Sequence, residues 1–169
     1  MSRKHKTSNG STATGGNAMS GKEKIKIPVV TAKNEGQKKA LRTISEHKVS
    51  IISGVPGTGK THVAVGWGLQ EMQKGRFEKL VLTRPVMEAG ENLGYLPGTA
   101  EDKIAPYMMP MYDILNQYLS LEQIKKYEAE KKLVIMPIAY MRGITFNNAY
   151  VVADECQNAT IKQMHMILT

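Results

Sequence analysis

The chain has 169 residues, of which 41% are apolar, and carries a formal charge of +8 with an isoelectric point near 9.5. Such a length and composition suit one domain with a real core, and exclude a wholly disordered or membranous chain. The longest apolar runs, such as LVIMPIAYM, are about half as long as a bilayer-spanning helix requires, so no membrane span is expected, and a single cysteine, Cys156, fits the cytoplasm.

Residues 1–27 are polar and rich in Gly, Ser, Thr and Lys, with no apolar stretch of the kind a secretory signal needs. They are expected to form a disordered tail. Six basic residues against Glu23 give this tail +5 of the total charge. A tail of this kind attracts phosphate backbones at low salt, or simply keeps the chain in solution.

From residue 28 onward a single folded domain is expected. NEGQKKALRTISEHK spaces Ala40, Leu41 and Ile44 along one face of a short helix, with Asn34 as its N-cap. VSIISG, β-branched and apolar, reads as the first core strand. A helix follows in THVAVGWGLQEMQKG, with Val65, Leu69 and Met72 on one side and Gly75 at its end. EKLVLTRP is the second expected strand, closed by Pro85.

The prolines and glycines of residues 85–110 argue against one long helix or strand there, and a connection of this length is usually functional or holds short helices. MYDILNQYLS is expected to be helical. A further helix begins at Ser120, which has capping-box spacing to Gln123. KLVIMPIAY and the almost wholly apolar AYVVADE are the third and fourth expected strands, and the last residues look helical. Strands alternating with helices predict an α/β fold with a doubly wound, mainly parallel sheet.

Between the first strand and its helix, Gly54, Gly59, Lys60 and Thr61 satisfy G-x-x-x-x-G-K-[ST]. At average composition this pattern arises by chance at roughly one position in 30,000. Residues Gly54, Val55, Pro56, Gly57, Thr58, Gly59, Lys60, Thr61 and His62 are therefore candidates to cradle a nucleotide's phosphates. The glycines let backbone N–H groups turn inward, and the helix start adds the positive end of its dipole. Lys60 would neutralise the outer phosphates and the Thr61 hydroxyl would ligate Mg²⁺. The His62 side chain itself reads as structural. The alternative is a tight glycine-rich turn with no ligand.

A phosphate loop needs an acidic strand end to complete its metal site. AYVVADECQN supplies Asp154, a candidate to hold Mg²⁺, and Glu155, a candidate general base toward an attacking water. Taken alone, the two acids read equally well as a helix N-cap pair. An Asp-Glu pair suits hydrolysis of ATP better than transfer to a small acceptor, and the Asn-Lys-x-Asp of guanine readers is absent from the chain.

Beyond these motifs, GVPGTGKTHVAV, KLVLTRPVMEAGENLGYLPGTAEDKIAPYMMPMYDIL, PIAYMRGITFNNAYVVADECQNAT and KQMHMILT closely resemble the PhoH-like ATPases, from about residue 30 to the end. The resemblance implies a phosphate-loop NTPase fold of the RecA or helicase-like type, related to superfamily 1 helicases and incomplete at the C-terminus. It also implies ATP and Mg²⁺ as cofactors, with ATP hydrolysis coupled to single-stranded RNA or DNA, RNA favoured, in a homo-oligomer for which a ring is one plausible form. A nucleotide-binding module without turnover and a small-molecule kinase are the alternatives.

By the same resemblance Gln37 would read the adenine edge, although it also fits an exposed helix glutamine. Gln157 would sense the outer phosphate as a third catalytic residue beside Lys60 and Glu155. Cys156 stands where the family usually has alanine. Arg84, Pro85 and Arg142, after strands at the rim where open α/β sheets bind ligands, would contact nucleic acid, or Arg142 would make an ion pair instead. The Met-Tyr cluster in YMMPMYDIL reads as a packed corner rather than a base-stacking surface.

Overall fold

Asn34 starts the first helix of the computed structural model, which describes residues 26–86 and 99–169. Its side chain accepts the Gln37 N–H at the N-terminus of α1 (Glu35–Glu46), which buries Ala40 and Ile44. Residues 1–25 of the basic tail and most of the Pro- and Gly-rich connection, with Glu88 and Glu91, lie outside the described residues, while Ile27 is buried in the core.

Three strands form one parallel sheet: β1 (Lys79–Thr83), β2 (Leu133–Ile135) and β3 (Ala149–Ala153). The order is β2-β1-β3, with Leu80 opposite Leu133 on one side and Tyr150 on the other. Val81 and Leu82 of the central strand are fully buried, as expected of a strand covered on both faces. Helices α2 (Lys60–Gln73), α3 (Ala100–Leu115) and α4 (Leu121–Ala129) share the core with this sheet, and α5 (Ile161–Leu168) packs against the 3-10 helix Ile138–Met141. Among the described residues, no helix is long and apolar enough to cross a membrane.

The expected first strand, VSIISG, is not one. Residues 49–54 run without a sheet partner, and Ile51 is 87% exposed. A β-branched run becomes a strand only where a neighbour supplies the ladder, and among the described residues this run is not paired with β1, whose two sides hold β2 and β3, nor with the open outer edge of β3. The sheet therefore has three strands among the described residues rather than the expected four.

The proline-rich segment also departs from expectation. Helix α3 begins ten residues and more before the expected MYDIL stretch and contains both Pro106 and Pro110. Each proline lacks the N–H that would bond four residues back, which strands the carbonyls of Asp102 and Pro106. Asp102, Pro106 and Pro110 are all exposed, so water can reach that stripe. The opposite face buries Met108, Met111 and Leu115, which makes YMMPMYDIL the packed corner.

Two glycines bring α2 close to its neighbours. A Cβ on Gly66 would lie 2.1 Å from Val30 Cγ2 and 2.4 Å from the Tyr118 hydroxyl. One on Gly68 would lie 2.4 Å from Tyr150 Cδ1 on β3. With Val65 and Leu69 fully buried on the same helix, α2 is held tightly over the sheet. Its N-terminus is thereby set beside the end of β3.

Candidate functional site: the phosphate loop and the end of β3

The loop from Gly54 to Gly59 takes three positive φ angles, at Gly54, Gly57 and Gly59. At Gly59 the left-handed backbone (φ +78°) is the N-cap of α2, and a Cβ there would come within 3.0 Å of the Gln37 amide. Glycine is thus required at Gly59 both by its dihedral and by that close approach. Val55, Pro56, Gly57 and Thr58 are exposed, and the first N–H groups of α2 lead into the loop without intrahelical partners.

Lys60 folds back over its own loop and donates to the carbonyls of Gly54 at 2.9 Å and Val55 at 3.0 Å. Thr61, one residue on, donates its hydroxyl to Asp154 Oδ1 at 2.7 Å. The Asp154 N–H in turn donates to Thr83 O at 2.8 Å, which ties it to the end of the central strand. Thr61 and Asp154, 93 residues apart, therefore meet at the carboxyl edge of the sheet.

The donors fit a magnesium ion. A hydroxyl and a carboxylate oxygen at hydrogen-bond distance are hard ligands, and Mg²⁺ is typically bound by one or two carboxylates, phosphates and water. Among the described residues no group of three or more His, Cys, Asp or Glu is arranged as a complete protein cage. Such a cage is unnecessary for an ion shared with a polyphosphate.

Beyond Asp154 the chain turns sharply. Glu155 adopts a left-handed backbone (φ +53°), uncommon for a non-glycine residue, and caps a short 3-10 helix, Cys156–Asn158. The turn leaves the Glu155 side chain exposed, within hydrogen-bond reach of the Gln157 amide, which donates to it. The Cys156 thiol donates to Ala153 O, and burial and the nearby Asp154 charge both raise its pKa.

Gln37 is built into the loop. Its amide nitrogen donates to Thr58 O at 3.0 Å while its carbonyl oxygen accepts from Lys33 N–H at 2.7 Å. Sequence spacing did not signal this contact, which braces the loop from α1. His62 stacks on Tyr118 with ring centroids 4.9 Å apart, and the Tyr118 hydroxyl lies 2.8 Å from His62 Nε2 and donates to His62 O at 3.1 Å. No pattern linked residues 62 and 118, but a glycine inside a helical stretch, here Gly66, is the sequence mark of something packed closely against it.

The expected nucleic-acid contacts follow the ends of β1 and β2, where Arg84 O accepts from the Ile138 N–H at 3.1 Å. Arg84 is half-buried, and among the described residues its Nε has no hydrogen-bond partner, nor does the Thr83 hydroxyl. Pro85 is buried at the end of β1 and offers no surface. Arg142 is exposed at the C-terminal end of the 3-10 helix Ile138–Met141, and among the described residues it makes no ion pair.

Residues 29–169 match the protein family described as PhoH-like protein. PhoH-like proteins of Synechocystis and Bacillus subtilis are 40% and 39% identical to the chain, and Protein PhoH of Escherichia coli K12 is 39% identical. Each alignment covers 83% of this chain but only 43%, 44% and 40% of the respective relative. The chain thus spans less than half the length of these relatives. With a family match over most of its residues and that level of identity, the chain belongs to the PhoH-like family.

Proposed function

We propose that the chain binds ATP with Mg²⁺ at the phosphate loop and is the nucleotide-binding part of an ATPase that acts on single-stranded RNA or DNA. One observation carries the nucleotide half: the loop threonine and the strand-end aspartate, distant in sequence, are within 2.7 Å of each other. A glycine-rich turn with no ligand has no need of a carboxylate against its threonine. Family membership supports the same reading.

In this reading the N–H groups at the start of α2 and the Lys60 ammonium hold the outer phosphates. Thr61 and Asp154 would hold Mg²⁺, which when bound withdraws charge from the phosphates and their bridging oxygen. Glu155 accepts a proton from the water whose oxygen attacks the terminal phosphorus, as the bond from that phosphorus to the ADP oxygen breaks. Gln157, already on the Glu155 carboxylate, orients that group. Gln37 sets the loop through Thr58 and, in this reading, would meet the adenine edge.

Nucleic acid would contact the rim that carries Arg84 and Arg142. A homo-oligomer is part of the same proposal: Val49, Ile51 and Val55 are exposed apolar side chains beside the loop, a surface suited to a second copy.

Phosphate release from ATP, with and without Mg²⁺, tests the catalytic claim. Lys60→Ala is expected to lower the rate by at least about 100-fold, since it removes a charge that acts on the transferring phosphate. Tight nucleotide binding with no phosphate release would identify a binding module instead. Transfer to a small acceptor without release would identify a kinase. If single-stranded RNA and DNA leave the rate and the nucleotide affinity unchanged, the nucleic-acid half fails.

A further inference from the structure

Helix α5 packs against the 3-10 helix Ile138–Met141, and the two border a groove of about 720 Å³. Three basic residues line it: Arg142 beyond the 3-10 helix, and Lys162 and His165 on one side of α5. All three are exposed, no acidic side chain lines the groove, and Thr169, the last residue of the sequence, is part of its wall. Among the described residues neither Arg142 nor Lys162 has an ion-pair partner. Apolar surface lies between the charges, with Ile161 88% exposed and Met166 half-buried in the lining.

We infer that this groove is a binding track for single-stranded nucleic acid. The inference rests on the nucleic-acid role proposed above and adds to it a location and three residues, Ile161, Lys162 and His165. Basic side chains with no acidic side chain between them suit a chain of phosphates, and an exposed aliphatic side chain set among them suits the face of an unstacked base. A folded acidic protein would need a broader positive face, whereas the basic residues here line a single cleft. The track also follows the nucleotide site directly along the chain: Thr160, the N-cap of α5, is six residues after Asp154, joined to it by the 3-10 helix Cys156–Asn158.

The test is fluorescence anisotropy with labelled oligouridylate and oligothymidylate, longer than the roughly 4–16 nucleotides that one strand-binding module covers, titrated with the full chain at several salt concentrations. Arg142→Glu with Lys162→Glu is expected to weaken binding by about tenfold or more at low salt. It should also flatten the plot of log affinity against log salt by about 1.4, the loss of two phosphate contacts at roughly 0.7 each. Lys125→Glu with Lys126→Glu, exposed on α4, makes the same change in net charge away from the groove and should leave that slope unchanged.

Equal weakening by both pairs, or an unaltered slope with the groove pair, overturns the track. Absence of any oligonucleotide binding by the unaltered chain overturns the underlying nucleic-acid reading as well, which separates the two failures. Arg142→Gln with Lys162→Gln removes the same contacts without placing acids in the groove. It serves as the deciding variant if the reversed pair melts at a lower temperature than the unaltered chain.

Discussion

The Tyr118 hydroxyl contacts both the ring and the carbonyl of His62, and burial pushes its pKa up to about 12, against about 10 for an exposed tyrosine. A phenol whose pKa is higher in the folded chain stabilises that chain fully below about pH 10, and the contribution is lost as pH rises toward about 12. Unfolding by urea at a series of alkaline pH values should show this. The stability advantage of the unaltered chain over Tyr118→Phe should shrink across that window, by up to about 1.4 kcal/mol per pH unit. A difference that stays constant from pH 9 to about 12 would show that the hydroxyl is not buried as described. At this scale Lys60, Thr61, Asp154 and Glu155 were legible because each belongs to a short local pattern. The His62–Tyr118 pair and the Gln37–Thr58 bond were not, because their partners are 56 and 21 residues apart and no spacing rule joins them.

Among the elements, α2 does most to place the site, and two glycines that are poor helix formers let it do so. Replacing Gly66 by alanine gains about 1 kcal/mol of helix propensity. It also drives a methyl group into Val30 and Tyr118 at distances under 2.5 Å, an overpacking that costs typically 1–3 kcal/mol. With contacts this short the cost should win, so Gly66→Ala is expected to lower the urea midpoint by the equivalent of up to about 2 kcal/mol. An increase in stability would mean that α2 stands farther from residue 118 than described. The capping signals at Asn34 and Ser120 located α1 and α4 well, because a side chain closing a helix end is a local interaction. VSIISG misled because a strand is made by its neighbours. The prolines of α3 misled in the other direction, since an exposed stripe lets water serve the carbonyls they leave open.

Across the whole molecule, the parallel sheet and its flanking helices followed from alternating patterns, while its size did not, since pairing is a property of the assembled chain. Strand β3 has β1 on one side and, among the described residues, no strand on the other. Alternate N–H groups of a strand point to opposite neighbours. The Asp154 N–H points to β1, and by alternation so do those of Val152 and Tyr150. Native-state hydrogen exchange should therefore find the Val151 and Ala153 amides exchanging much faster than those of Val152 and Asp154. Uniform protection along β3 would reveal another strand, from this chain or a second copy, along its outer edge.

The bond between Thr61 and Asp154 also dates the site. It closes a loop of 93 residues, and β3 is the last of the three strands among the described residues. At roughly 5–20 residues per second of synthesis, Asp154 emerges some 5–20 s after the threonine it will meet. Until then α2 can coil and the loop can bend, but the hydroxyl has no carboxylate opposite it. A contact this distant forms only after the intervening chain has paid its closure entropy. Competence to hold a metal at this pair is therefore acquired only with the docking of β3, and a nascent chain stalled before that point would carry the motif without the site.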